Sequence, residues 1–500
     1  MAMPTAHSVV SDKTRPNPAG SGPPDLAMLD AVALAATIRS RKASCVEVMT
    51  AYLDHVERVN PKVNAIVALQ DRAGLLAQAR ERDAQLARGE LMGPLHGFPH
   101  AVKDLAPVKG IRMTKGSPIL KDFVPSADST MVERLRAAGA IFIGKTNTPE
   151  FGLGSHTFNP VYGATLNPYD QSRTAGGSSG GAAVALALRM LPLADGSDHG
   201  GSLRNPAGWN NVCGFRTSQG LVPRDALDAW LPSMSVLGPM ARNVADLAML
   251  LAVQAGHDAR APLSMAGDGA RFRARLERDF KGTRIAWLGD FNGEIPYEPG
   301  VLEVCRNALA TFEAMGCIVE DAVPDASIEA AWRAWLTLRP WSSAGELLAH
   351  YRDPQKRALM KPEAIFEVEN ALKLKAVDVT AASVARTEWY HAVRKFFVSY
   401  DYLIVPTAQL FPFPVELDWP NEIAGRKMET YHEWMKGVIM VTLSGCPALA
   451  VPAGFGPQGL PIGIQIVAPN QADLACLQLA HAYDTATAWA ARRPPPLLGG

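Results

Sequence analysis

The sequence predicts an α/β fold: one large domain built on a central, mixed and twisted β-sheet covered by helices. Three observations carry that expectation. Short apolar runs suited to buried strands alternate with longer stretches of helical periodicity along most of the chain. No internal repeat, and no Pro/Gly linker long enough to divide the chain, interrupts this alternation. The 500 residues, 48% of them apolar, can fill one extensive core.

Residues 1–25, rich in Pro, Gly and Ser, are expected to form a disordered tail, with the domain over 26–493 and a short C-terminal tail over 494–500. Ser44-Cys45-Val46-Glu47 has capping-box spacing, and Met49, Tyr52, Leu53 and Val56 then recur every three or four residues, which predicts a helix with one buried stripe. Between 93 and 145, "GFPHAVKD" reads as a strand leading into a site, "STMVERLRAAG" as a helix and "AIFIGK" as a buried strand. "GGAAVALALRML" is a strong helix former, and "LPLADGSD" returns toward a strand. "TRIAWLG", a helix carrying Leu302, Cys305, Leu309 and Phe312, and "CIVEDAV" predict strand, helix and strand. "YDYLIVPT" and "LPIGIQIVAP" add late strands. Residues 325–400 are helical in pattern and rich in tryptophan: Trp332, Trp335, Trp341 and Trp389.

Composition narrows the function. Lys plus Arg (49) equals Asp plus Glu (49), so the chain has no net field to draw nucleic acid or an anionic membrane. Its six cysteines are scattered without Cys-x-x-Cys pairing, which suits reduced, buried thiols in a cytoplasmic protein. No apolar run reaches the roughly 18 residues of a membrane span, and the N-terminal stretch lacks the apolar region of a secretory signal. The 11 histidines form no His-Glu-x-x-His or comparable cluster, so a metal site has little support.

Three local patterns mislead. Residues 139–146, "GAIFIGKT", satisfy the phosphate-loop formula, but their Ala-Ile-Phe-Ile centre belongs in a buried strand, and Asn147-Thr148-Pro149 stands where a helix should begin. "GGSSG" (176–180) satisfies the nucleophile-elbow formula, yet the His199-Gly200-Gly201 element follows it, whereas in an α/β-hydrolase that element comes first. Such an esterase would also need His350 or His432 as base. Finally, the glycine-rich stretch is no linker, because a helix former follows at once. Its glycines suit tight backbone geometry.

Three elements remain: Lys103 in "GFPHAVKD", Ser178 in "AGGSSGGA" and Ser202 in "DHGGSLRNP", separated by 75 and 24 residues. With "GKTNTPEFG", "GATLNPYD", "GPMARNVADLAMLL", "YLIVPT" and "GLPIGIQIVAP", the chain resembles the amidase signature family from about Leu26 to about Arg493. The resemblance implies a Ser-cisSer-Lys triad in which Lys103 takes a proton from Ser178, and Ser178 one from the nucleophile Ser202. The Gly177–Ser178 peptide is then expected to be cis. It implies further that His199, Gly200, Gly201 and Ser202 form the oxyanion hole, and that Phe151, Gly152, Leu153 and Ser179 meet the substrate. The chemistry of the residues agrees: a serine hydroxyl needs a base, and a lysine serves as one only when burial keeps it neutral. An alternative for Lys103 is a buried ion pair with Asp104 or another carboxylate.

Some positions depart from the family pattern. His199 stands where many members carry a small or β-branched residue, and "GWNNVCGF" and "RTSQG" replace more usual segments. Arg204 is either an ion-pair partner of Asp195 or Asp198, or a clamp on substrate. The expected function is hydrolysis of a small-molecule amide or carbamate through an acyl-enzyme, with esters and urethanes as further substrates and a homodimer left open. This hydrolysis requires neither a metal nor another cofactor. Trp332, Trp335, Trp341 and Met360 hint at a bulky apolar or aryl substrate, although core packing is the stronger expectation for any one of them. The alternatives are a glutamine-hydrolysing subunit of an amidotransferase and an α/β-hydrolase-type esterase.

Overall fold

The capping box at Ser44 forms: its Oγ accepts the Glu47 N–H at 3.1 Å, the Glu47 carboxylate accepts the Ser44 N–H at 2.8 Å, and the helix Cys45–Val59 begins there. Met49, Tyr52, Leu53 and Val56 lie on its buried face. The computed structural model describes residues 25–230 and 234–499; the tail expected at the start falls, but for Asp25, outside them.

Two sheets frame the interior. A three-stranded sheet, in the order β1-β3-β2, comprises β1 (Ile66–Val67), β2 (Pro99–Lys103) and β3 (Ile141–Thr146). β2 and β3 run parallel, and every residue of both is buried, which is why "AIFIGK" shows no polar alternation. The phosphate-loop look-alike is thus strand.

The central sheet has eight strands in mixed orientation. They are β4 (Ala194–Asp198), β5 (Cys213–Arg216), β6 (Val236–Ala241), β7 (Arg284–Trp287), β8 (Ile318–Asp321), β9 (Tyr402–Pro406), β12 (Ala448–Phe455) and β13 (Pro461–Val467); a separate hairpin pairs β10 (Glu422–Ile423) with β11 (Arg426–Lys427). The order is β4-β6-β5-β12-β13-β9-β7-β8, with parallel pairing only at β9-β7-β8. β12 and β13, at the middle, are buried along almost their whole length and form the floor of the core. The α/β class and the mixed central sheet are as the sequence predicts.

Two of these strands are masked in the sequence by their own residues. β6 contains Gly238-Pro239, and β12 holds Pro452 beside a register shift, both of which read as turn residues. Gly238 is required by packing: a Cβ there would lie 2.1 Å from the Phe215 carbonyl oxygen on β5. The helix after the glycines is shorter than its composition suggests, spanning Gly180–Ala187, with all eight residues buried. The region expected to be helical contains the helices Ile328–Arg352, Pro354–Arg357, Pro362–Ala371 and Ala376–Phe396. Among the described residues no helix is long and apolar enough to cross a membrane.

Candidate active site

Lys103 ends β2 and is 2% exposed, with its amine directed at the turn that precedes the helix Gly180–Ala187. Its Nζ lies 2.8 Å from Ser178 Oγ, 2.8 Å from Ser179 Oγ and 3.0 Å from Ser197 Oγ. Burial is the main force on this amine and lowers its pKa from 10.5 to about 7; the charges of Asp195 and Asp198 resist that fall. The amine faces hydroxyls, whereas the Asp104 carboxylate is taken up by Thr114. Among the described residues Lys103 forms no ion pair with Asp104 or with another carboxylate.

The serine turn is held from behind. The Gly177–Ser178 peptide is cis, the Gly176 carbonyl accepts from Thr157 N–H (3.0 Å) and Oγ1 (2.7 Å), and the Gly177 carbonyl accepts from Ser155 Oγ. Ser178 is buried, while Ser202 is partly open to solvent. Lys103, Ser178 and Ser202 all border one cavity of about 570 Å³.

Ser202 belongs to a loop that Asp198 organises. At the end of β4, Asp198 Oδ1 accepts the Gly201 N–H at 2.9 Å and Oδ2 the Leu203 N–H at 3.1 Å. Arg204 grips both carboxylate oxygens at 3.0 Å, and Arg216 adds a further bond of 3.0 Å to Oδ1. Burial alone would raise the Asp198 pKa, but the two guanidiniums outweigh it and hold the carboxyl well below the usual range. Of the two roles open to Arg204, the structure thus selects the ion pair with Asp198. Gly201 has φ +111°, and a Cβ on it would lie 2.6 Å from Val438 Cγ2, so this turn needs glycine twice over.

Substituting Asp198→Asn would leave two buried guanidiniums facing an amide, a change expected to cost about 3–5 kcal/mol of stability. A denaturant midpoint indistinguishable from that of the native chain would contradict this role for the carboxylate.

The expected oxyanion residues fall into two groups. The Gly201 N–H is committed to Asp198, whereas the N–H groups of His199, Gly200 and Ser202 have no acceptor among the described residues. The His199 ring lies edge-on to Trp335, 5.6 Å between centroids. Burial first, and then the nearby charge of Arg339, pushes its pKa well below the ordinary value, so the ring is neutral near pH 7.

Of the residues expected to meet substrate, Phe151, Gly152 and Leu153 line the cavity, and a Cβ on Gly152 would come within 3.6 Å of Ser178 Oγ. Ser179 does not line it. Its hydroxyl is fully buried on Lys103 Nζ, on the amine's side of the turn. Trp332 and Trp335 are core residues, the role the sequence favours for them, and Trp341 borders a different, smaller pocket. Met360 packs behind Leu153 in a satellite cluster. The helix Ile328–Arg352 instead presents Arg339, Ser342, Ser343, Glu346 and His350 to the cavity, at helical spacing.

Neither histidine suggested for an esterase contacts Ser178. His350 stacks on Phe151 at 5.9 Å, and His432 accepts from Trp335 Nε1 at 3.4 Å. Ser197, Asp195 and His100 are the residues beside Lys103 that sequence reasoning missed. A signal existed, since Asp195 and Ser197 are two apart on β4 and so face the same side as each other. Among the described residues no group of three or more His, Cys, Asp or Glu side chains is placed to hold a metal ion.

The amidase family model matches residues 47–477. An acylamidase of Rhodococcus erythropolis is 35% identical over 95% of this chain and 98% of its own. A glutamyl-tRNA(Gln) amidotransferase subunit of Picosynechococcus sp. is also 35% identical, over 91% of this chain and 97% of its own. The crystal structure of a bacterial aryl acylamidase, an amidase signature enzyme, superimposes with a TM-score of 0.86 at 28% identity, over 93% of this chain and 99% of that one.

Proposed function

The chain belongs to the amidase signature family, a family of hydrolases acting on amides, and we propose that it cleaves its carbon–nitrogen bond through an acyl-enzyme on Ser202. One distance supports this above all: the 2.8 Å between Ser178 Oγ and an amine whose pKa lies near 7. Neutral Lys103 accepts the Ser178 proton while Ser178 accepts that of Ser202. The Ser202 oxygen bonds to the substrate carbonyl carbon, and the carbonyl electron pair moves onto oxygen. The N–H groups of His199, Gly200 and Ser202 receive that charge, and each such donor is worth about 3–4 kcal/mol at the transition state.

Collapse re-forms the C=O bond and breaks C–N. Ser178 returns its proton to the leaving nitrogen and is reprotonated by the Lys103 ammonium; water then repeats the sequence and releases the acid. A carbamate presents the same carbonyl and a protonatable nitrogen, so the same steps apply to it. The cavity favours a substrate with an apolar or aryl body, resting on Phe151, Leu153 and Leu105, and a polar group toward Arg339 and Ser342.

Intact mass and peptide mapping after treatment with a fluorophosphonate test the nucleophile. A single adduct on Ser202 is expected, and an adduct elsewhere in folded protein would overturn the assignment. Among aryl amides, aliphatic amides, carbamates and esters, aryl amides should show the highest kcat/KM, and a preference for small aliphatic amides would overturn the substrate class. The likeness to an amidotransferase component supports a second reading, release of ammonia from glutamine for a partner protein. Glutaminase activity that appears only when amidotransferase subunits are added would favour it; rapid anilide turnover by the isolated chain favours the first.

A further inference from the structure

Two buried groups beside the site take no part in those steps. His100 on β2 and Asp195 on β4 are 2% and 1% exposed, and the His100 Nε2–H donates to Asp195 Oδ1 at 3.0 Å. The other oxygen, Oδ2, accepts the backbone N–H of Lys103 at 3.2 Å. The pair therefore holds the very residue that carries the amine.

A carboxylate is an awkward neighbour for an amine that must be neutral, because its charge favours the ammonium form. Two carboxylates face Lys103, both from β4. Asp198 is gripped by Arg204 and Arg216, so much of its field is offset. Asp195 has no arginine within ion-pair distance among the described residues; its polar side-chain partner is His100. Lys145 on β3 also faces Asp195, but its Nζ is turned onto the Ala106 carbonyl, and burial lowers its pKa to about 8. Asp104, just past the end of β2, is spent on Thr114. Of the described groups packed around Asp195, His100 alone is placed to draw its charge away from Lys103.

We propose that His100 and Asp195 form a positioning pair for Lys103, in which Asp195 fixes the backbone of residue 103 and His100 masks the carboxylate so that the amine stays available as a base. The proposal rests on Lys103 being the base for Ser178 and Ser202.

Its test is the pH dependence of fluorophosphonate labelling of Ser202, and of kcat/KM on an anilide, in the full chain. His100→Phe should move the acid limb up by about one pH unit, and Asp195→Asn should move it down by a similar amount. The double variant should follow Asp195→Asn alone, because no charge remains to be masked. His100→Gln, whose amide can donate to the same oxygen, should return the limb toward its native position. Should His100→Phe fail to fold, the near-isosteric Asp195→Asn and His100→Gln carry the test. A pair that served only packing would lower stability and leave the limb in place in every variant, and that result overturns the proposal. Labelling of Ser202 that survives Lys103→Ala without any acid limb would instead overturn the assignment of Lys103 as the base.

Discussion

Ser202→Ala is expected to lower kcat by about a million-fold, the scale seen when a nucleophile that acts as part of a catalytic unit is removed. KM should change little, because the substrate is held by the cavity walls and the Ser202 hydroxyl forms its decisive bond only as the reaction proceeds. Stability should stay within about 0.5 kcal/mol, since Ser202 is partly exposed and its side chain has no hydrogen-bond partner among the described residues. Residual hydrolysis should remain measurable above the uncatalysed rate, because the His199 and Gly200 amides still polarise a bound carbonyl. Two readouts check this: burst kinetics on an activated amide, and the site of the covalent adduct. A variant that keeps a burst, or that transfers the adduct to Ser178, would show that the cis-linked serine is itself the nucleophile.

Ser178→Ala separates the two serines further. It interrupts proton transfer yet leaves the Ser202 oxygen in place, so slow acylation by highly activated esters, whose leaving groups need no proton, should outlast the loss of amide cleavage.

The chain displayed its catalytic candidates openly because they lie in glycine-rich or strand-end segments whose spacing is distinctive. The separations between Lys103, Ser178 and Ser202 carried the resemblance, and the structure brings all three to one cavity. What surrounds them was harder to read. The resemblance implies a substrate contact for Ser179, but the turn sends its hydroxyl to Lys103, which a one-dimensional reading has no means of placing. Gly201 shared a motif with true orphan donors, and only the loop geometry shows its N–H already taken by Asp198. The tryptophans were legible as core: an aromatic is a good ligand platform and an even better core residue, and packing takes the latter role for Trp332 and Trp335. β6 and β12 were hidden by their Gly and Pro residues, which central strands tolerate here through close backbone contact and a register shift.

Lys103→Ala should reduce kcat/KM at neutral pH by about three to four powers of ten, and the acid limb of the pH profile should vanish with the amine. In the native chain that limb is expected near pH 7, with activity rising as the ammonium loses its proton. The same residue should leave a mark on stability. The unfolded chain keeps its lysine protonated up to about pH 10.5, whereas the folded chain releases that proton near pH 7, so between these values the unfolded state binds more protons. Native stability relative to Lys103→Met should therefore rise with pH across this window, and flatten below it, where both states are protonated and the penalty for burying the charge is complete. The whole change is on the order of 5 kcal/mol. Urea titrations of both proteins at pH 6, 8 and 10, values that span all but the top of that window, measure most of it directly. If their difference does not vary with pH, Lys103 is titrating as an ordinary lysine, and its closeness to Ser178 reflects a charged hydrogen bond with no capacity to take the proton that the reaction requires.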